Sequence, residues 1–394
     1  MICLYVNYIK EPLVKKSSLL KDKKIILGVT GSISAVESVR LIHELKRHGA
    51  DVFPVMTESA KKIVNPNSLE YASENKVVTE LTGSIEHVKL VDSSDLFLVA
   101  PATANSISKM SLGIDDTTVT SVFSNALEKI PVLLSPAMHQ NMYSNPIISK
   151  NIGVLKSYGV KVLDPIFEES KAKISDIETI VAETIRAIHS ELRGKKVCII
   201  GGSSIENIDD VRIITNNSSG ETSVELAKMA YFLGADTDLY FGNLRVQVPP
   251  FLKFKQFTNV DSIMKEADSI KKNDIIIVPA ALSDFSPVKK EGKISSDGGF
   301  TMRLNPTPKL LKNLRDGFDG KIVGFKAEFG VTEKELIRRA EKRLKEYSLD
   351  GIVANDLKDV KKGTTKVIVL SGNRELKFEG EKSEVARKIL ESFA

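Results

Sequence analysis

Short apolar runs rich in β-branched residues recur along the chain, separated by longer stretches in which charged and apolar positions alternate with helical spacing. The runs fall at residues 23–29, 51–55, 95–100, 131–135, 195–200, 236–241, 274–279 and 321–325. The intervening stretches are long enough for crossover helices. The pattern predicts an α/β protein built from doubly wound, mostly parallel, Rossmann-like sheets. Such sheets take ligands at the carboxyl ends of their strands, where helix N-termini point, so the chemistry is expected in the loops after these runs.

An internal echo divides the chain. Lys23-Lys24-Ile25-Ile26-Leu27-Gly28 is answered by Lys195-Lys196-Val197-Cys198-Ile199-Ile200-Gly201, Gly49-Ala50-Asp51 by Gly234-Ala235-Asp236, and the run from Asp95 by the run from Asp274. Two such units in tandem explain this better than one large sheet, and imply similar architecture without requiring duplication. The expected organisation is an N-terminal extension over 1–21, a first domain over 22–189, a linker at 190–194 and a second domain over 195–394.

A chain of 394 residues that is 42% hydrophobic can fill two cores. Its 56 Lys+Arg and 51 Asp+Glu leave a net charge of only +5, with no basic block or aromatic-interleaved patch, which argues against nucleic acid as a partner. Small phosphorylated ligands remain open. Cys3 and Cys198 supply neither a disulfide framework nor a zinc or iron–sulfur ligand set, which suits a reducing cytosol. The apolar run at 2–6 is too short for a signal-peptide core and no window reaches the length of a membrane span, so a soluble cytoplasmic protein without membrane contact is expected.

In the first half, three loops of small and hydroxyl residues follow strands: Gly28-Val29-Thr30-Gly31-Ser32-Ile33-Ser34, Ala100-Pro101-Ala102-Thr103-Ala104-Asn105, and Ser135-Pro136-Ala137-Met138-His139. The first is neither a dinucleotide fingerprint nor a Walker loop, so a nicotinamide oxidoreductase is not supported. These motifs, with His87 eight residues before Asp95, resemble those of the flavin-dependent cysteine decarboxylases that include phosphopantothenoylcysteine decarboxylase. The resemblance spans about residues 23–185 and implies a flavodoxin-like flavoprotein domain. It implies that Thr30, Gly31, Ser32, Thr57, Thr103, Asn105 and Met138 hold FMN and that His87 is the active-site base. Chemistry gives its own reason for such a pair: a carboxylate on saturated carbon loses CO₂ only when the electrons left behind have a sink. Oxidation of the cysteine thiol to a thioaldehyde provides one, and a near-neutral imidazole suits the proton transfers.

Two departures from the family pattern stand out. His139 occupies the place of an asparagine that holds the substrate carboxylate, and the lid stretch from Glu168 to Asp176 lacks the family's cysteine. Lys171, Lys173 or water is then left as the proton donor, or the last reduction fails. In that case the first half is a flavin-binding or regulatory module beside an active ligase.

In the second half, Gly201-Gly202-Ser203-Ser204, Asn216-Asn217-Ser218-Ser219-Gly220, Ala280-Ala281-Leu282-Ser283-Asp284, Gly292-Lys293-Ile294-Ser295, Asn305-Pro306-Thr307-Pro308-Lys309 and Gly324-Phe325-Lys326 follow in order. Together they resemble the phosphopantothenate–cysteine ligases over about residues 195–393, and the order of the halves matches the fused bifunctional enzymes of coenzyme A synthesis. That resemblance implies activation of the 4'-phosphopantothenate carboxylate by CTP, with Mg²⁺, to an acyl-cytidylate that cysteine then attacks. It implies that Asn216 and Lys293 act on the acyl-nucleotide, that Asn217, Ser218, Ser219, Gly220, Ala281, Phe325, Lys326 and Lys309 contact substrate, and that Asp284 meets ribose or metal. Ser295 and Ser296 stand where the family has further lysines, leaving Lys289, Lys290 or Lys309 to compensate. The family also implies a homo-oligomer, with flavin-domain trimers and ligase-domain dimers and possibly a dodecamer.

Overall fold

The computed structural model describes residues 14–168, 171–295, 298 and 300–394. Cys3, the run at 2–6, Glu169, Ser170 and Ser296 therefore lie outside the described residues. The chain divides into two compact units, Met1–Ile188 and His189–Ala394.

The first unit is a sheet of β1 (Lys24–Val29), β2 (Asp51–Met56), β3 (Leu96–Ala102), β4 (Val132–Pro136) and β5 (Lys161–Val162). All pairings are parallel, in the order β2-β1-β3-β4-β5. Every residue of β3 and β4 is buried, so these runs carry no polar alternation. Phe97 and Val99 of β3 and Leu134 of β4 pack with Val119, Val122 and Ile152 from the covering helices. On another helix, Ser38–Arg47, Leu41, Ile42 and Leu45 form the buried stripe. The chain runs outward from β1 to β2 and then returns to β3 on the other side, so the strand order reverses between β1 and β3. In a sheet of this kind that reversal opens the ligand crevice at the carboxyl edge. Beside β4 lies a small antiparallel sheet of Met138–His139, Ile166–Glu168 and Lys171–Lys173, with the last strand in the middle.

The second unit holds β6 (Lys196–Gly201), β7 (Asp236–Phe241), β8 (Lys255–Gln256), β9 (Ile275–Val278), β10 (Lys321–Glu328), β11 (Gly351–Asp356), β12 (Thr364–Ser371) and β13 (Arg374–Glu381). Their order is β8-β7-β6-β9-β10-β11-β12-β13. Pairings from β8 to β11 are parallel, and β12 and β13 close the sheet as an antiparallel hairpin. The outermost strand, β13, reads Arg-Glu-Leu-Lys-Phe-Glu-Gly-Glu and is largely exposed. Among the described residues no helix is long and apolar enough to cross a membrane.

Candidate active sites

In the first unit the ends of three neighbouring strands are tied together by hydroxyl groups. Thr30, fully buried after β1, donates its hydroxyl to the Pro101 carbonyl at 2.8 Å and accepts the Thr103 N–H at 3.1 Å. This one side chain therefore locks the β1 loop to the β3 loop across the strand-order reversal, and its hydroxyl is engaged by the protein rather than turned to a ligand. The Thr57 N–H bonds the Val29 carbonyl at 3.1 Å, which brings the β2 loop alongside. Gly31 lies so close to that loop that an added Cβ would sit 2.6 Å from the Cβ and Oγ of Ser59.

Ser32, Thr57 and Thr103 are the N-caps of the helical segments that leave these strands, accepting from the N–H groups of Ser34, Ala60 and Ser106. The fold thus gathers Gly31, Ser32, Thr57 and Thr103 on one carboxyl edge, with uncapped helix N–H groups beside them. Asn105 is exposed in the first turn of the helix Ala104–Leu112. Met138 is half-buried and His139 exposed, both on the small sheet that follows β4. His139 stands directly across the ladder from Lys171, one of the proton donors considered for the lid stretch.

His87 belongs to a different element, the helix Glu86–Asp92. Its carbonyl accepts from Asn125 Nδ2 at 3.3 Å, near the end of the helix Thr118–Ala126, whose first residue donates its hydroxyl to the Met56 carbonyl of β2 at 2.6 Å. Seven residues of helix, about 10 Å, separate those two attachments. The His87 Nδ1 is buried and has no hydrogen-bond partner. A buried ring nitrogen left unbonded is costly, and in a native protein it marks a place where a further group belongs. Just before the ring, the Glu86 carboxylate takes both the hydroxyl and the N–H of Thr82, and these bonds hold its pKa down to about 2. Ile85 between them adopts a left-handed backbone with φ of 49°.

In the second unit, a cleft of about 250 Å³ opens at the carboxyl ends of β9 and β10. Ala281, Asp284, Lys309, Phe325 and Lys326 all line it, so five residues from three separate sequence motifs meet in one place. Lys309 is ion-paired with Asp284. That bond, helped by the charges of Lys309, Arg343 and Lys326, holds the Asp284 carboxyl below the ordinary carboxylate range. Lys326 is shared with Glu328 at 3.0 Å. Arg343 and Tyr347 also line the cleft, with Arg343 donating to the Tyr347 hydroxyl at 2.5 Å. Neither was singled out in the sequence; Arg343 lies on the helix Glu333–Glu346 and Tyr347 is its C-cap.

The Asn216 amide donates to the carbonyls of Ala281 and Leu282 at 3.0 and 3.2 Å, fastening its loop to the rim of this cleft. Asn217 accepts from Arg245, while Ser218 and Ser219 accept the N–H groups of Gly220 and Glu221. Gly220 has φ of +75° and its missing side chain leaves room for Leu244, so glycine is required there on both counts. Beneath the loop, buried hydroxyls run from Thr215 to Ser203, and from Ser204 to Ser283, whose carbonyl takes the Thr307 hydroxyl.

Lys293 is exposed and is not among the residues lining the cleft. Its segment is held by Asp209, which accepts the N–H groups of Ile294, Val211 and Arg212 and the Arg212 guanidinium. Burial works against the charge on Asp209, but these donors outweigh it and keep its pKa far below the usual range. Lys289 is paired with Asp210 at 2.6 Å.

Comparison with known proteins follows the same division. Residues 13–189 match the family described as Flavoprotein, and residues 192–394 match the DNA/pantothenate metabolism flavoprotein C-terminal domain. A coenzyme A biosynthesis bifunctional protein CoaBC from Thermococcus kodakarensis is 43% identical over 90% of this chain and 90% of its own length. The chain belongs to the CoaBC family. Other CoaBC proteins are similar throughout: that of Methanocaldococcus jannaschii is 39% identical over 95% of this chain and 94% of its own, and that of Bacillus subtilis is 34% identical over 86% and 87%.

Proposed function

We infer that the first unit decarboxylates phosphopantothenoylcysteine with bound FMN and that the second makes this substrate from 4'-phosphopantothenate, cysteine and CTP. The chain is a bifunctional enzyme of coenzyme A biosynthesis, a flavoprotein decarboxylase joined to a ligase. The observation that carries this reading is that one chain matches both families, over residues 13–189 and 192–394, and a CoaBC relative over nine-tenths of its length.

The carboxyl edge of β1 to β3 fits a flavin phosphate, because it offers cap hydroxyls and free helix N–H groups together. Ser32, Thr57, Thr103 and Asn105 are the residues to hold it, with Gly31 and Met138 beside them, and Thr30 keeps the two loops in register. Bound flavin supplies the electron acceptor that thiol oxidation needs. His87, with one ring nitrogen unbonded, holds and moves the proton. His139 donates a ring N–H to the substrate carboxylate.

In the ligase, Lys309, Lys326 and Lys293 offset the charge of a carboxylate approaching a triphosphate. Asn216, with Asn217, Ser218, Ser219 and Gly220, orients the acyl-nucleotide, and Ala281, Asp284 and Phe325 receive the nucleoside. Among the described residues no group of three or more His, Cys, Asp or Glu could hold a metal ion. Asp284 would be the carboxylate to meet a Mg²⁺ accompanying the triphosphate, which would help to offset the phosphate charge. Self-association through the flavin half as trimers and the ligase half as dimers completes the proposal.

The test is to compare His87→Asn and Asn216→Asp chains for CO₂ release and for nucleotide-dependent ligation. The first should lose about 10²- to 10⁴-fold in decarboxylation, retain its flavin colour and ligate normally. The second should do the reverse. Full decarboxylation by the His87 variant, or full ligation by the Asn216 variant, would refute the corresponding assignment.

A further inference from the structure

The segment that leaves β7 brings a guanidinium to the Asn216 loop. The carboxyl ends of β6, β7 and β9 are tied into one corner. The Gly242 N–H bonds the Gly201 carbonyl at 2.9 Å, Ser203 and Asn243 exchange backbone hydrogen bonds, and the N–H of the cleft residue Ala281 bonds the Gly202 carbonyl at 2.8 Å. The loop 216–220 lies on this corner, since a Cβ added to Gly220 would sit 2.1 Å from Leu244 and 3.7 Å from the Gly202 Cα. Arg245, next in the chain, donates its backbone N–H to the Ser219 carbonyl at 3.0 Å and its Nη1 to Asn217 Oδ1 at 2.6 Å. Backbone and side chain both hold Arg245 to the loop, which Asn216 in turn fastens to the cleft rim.

The protein does not answer the charge of Arg245. Among the described residues no carboxylate forms an ion pair with it, and neither its other guanidinium N–H groups nor the Asn217 amide nitrogen make a hydrogen bond. Glu221, the acid at the head of the following helix, is already paired with Lys382. A neutral amide oxygen repays little for holding a long, exposed cation in one position. The remaining fork suits a phosphate, which accepts two parallel N–H bonds from a guanidinium. With Oδ1 taken by Arg245, the Asn217 amide nitrogen is left to donate beside it.

We propose that Arg245, together with the Asn217 amide, grips a phosphate group of a ligase substrate lying on the loop 216–220. The proposal rests on the reading of that loop as a substrate site and adds to it the residue that reads phosphate charge. Two of the substrates carry phosphate, the nucleoside triphosphate and 4'-phosphopantothenate, and cysteine carries none.

The experiment is steady-state ligation by full-length chains carrying Arg245→Met or Arg245→Lys, with KM measured in turn for CTP, phosphopantothenate and cysteine. Loss of a charge-assisted bond should raise KM for one phosphorylated substrate roughly ten- to a hundred-fold in the methionine variant. The rise should be smaller in the lysine variant, which keeps the charge without the fork. KM for cysteine and CO₂ release from phosphopantothenoylcysteine should stay at wild-type values. The substrate affected identifies the phosphate that is held. Its KM should also climb with salt in the wild type and lose most of that dependence in Arg245→Met, a response that an arginine merely bracing the loop would not give. Values within about threefold of wild type for both phosphorylated substrates, or a rise shared equally by cysteine, overturn the proposal. If Arg245→Met is harmless while Asn216→Asp abolishes ligation, the loop stands as the substrate site and only the role of Arg245 falls. Absence of wild-type ligation would remove the reading beneath both.

Discussion

Replacing Thr30 by valine removes one hydroxyl while preserving shape, and the structure allows its cost to be worked out. That hydroxyl is bonded to two backbone groups, the Pro101 carbonyl at 2.8 Å and the Thr103 N–H at 3.1 Å, in a place where Thr30 is fully buried. Valine leaves both groups unpaired away from water, and each such group costs about 1–3 kcal/mol. Allowing for some relaxation of the loops, the expected loss is about 2–4 kcal/mol, or roughly thirty- to a thousand-fold in the local opening equilibrium. The assay is hydrogen exchange by mass spectrometry on peptides covering 96–108, with absorbance as a measure of flavin retained. Thr30→Val should exchange faster there by that factor and lose flavin, whereas Thr30→Ser should stay near wild type in both. Protection unchanged within about threefold in the valine variant would refute the claim that this hydroxyl holds the two loops together.

Two further outcomes follow from the same coordinates. Gly31→Ala sets a Cβ 2.6 Å from Ser59, an overlap expected to cost about 1–3 kcal/mol and to lower flavin content, with Ser59→Gly in the same chain restoring both by urea melting and absorbance. Because Lys309 holds the Asp284 carboxyl below its ordinary range, the pair's contribution is present at neutral pH and drains away as pH falls through that lowered pKa. The urea midpoints of wild type and Asp284→Asn should therefore differ near neutrality and converge only once the pH has fallen below that lowered pKa.

The parallel framework was legible because fully covered strands leave an unmistakable mark. The run at 23–29 differs from β1 by one residue and that at 131–135 from β4 by one at each end, while 236–241, apolar and buried only from Leu239 to Phe241, coincides with β7. The hairpin of β12 and β13 was not foreseen: the outer strand is mostly polar and carries no apolar run, although the inner one does, Val367-Ile368-Val369-Leu370. Strands of two or three residues, such as Met138–His139 or Ile205–Asn207, are too short to show any period. At the sites, a motif's position after a strand was enough to bring Ala281, Asp284, Phe325 and Lys326 to one cleft. Sequence could not show which hydroxyls the protein keeps for itself. Thr30 and Thr103 look alike in their motifs, yet one stitches backbone to backbone while the other caps a helix. Arg343 and Tyr347 are brought to the cleft by a helix whose apolar stripe, Leu336, Ala340 and Leu344, packs on the core, a placement with no motif to announce it.

The exposed strand that ends the second sheet also limits how this half can associate with other chains. Its free backbone edge is flanked by Arg374, Glu375, Lys377, Glu379 and Glu381, so an incoming segment would have to bury charges of both signs to extend the sheet. Edge-to-edge polymerisation is thereby discouraged. The mixed charges therefore guard this edge against added strands, whatever surfaces the ligase halves use to associate.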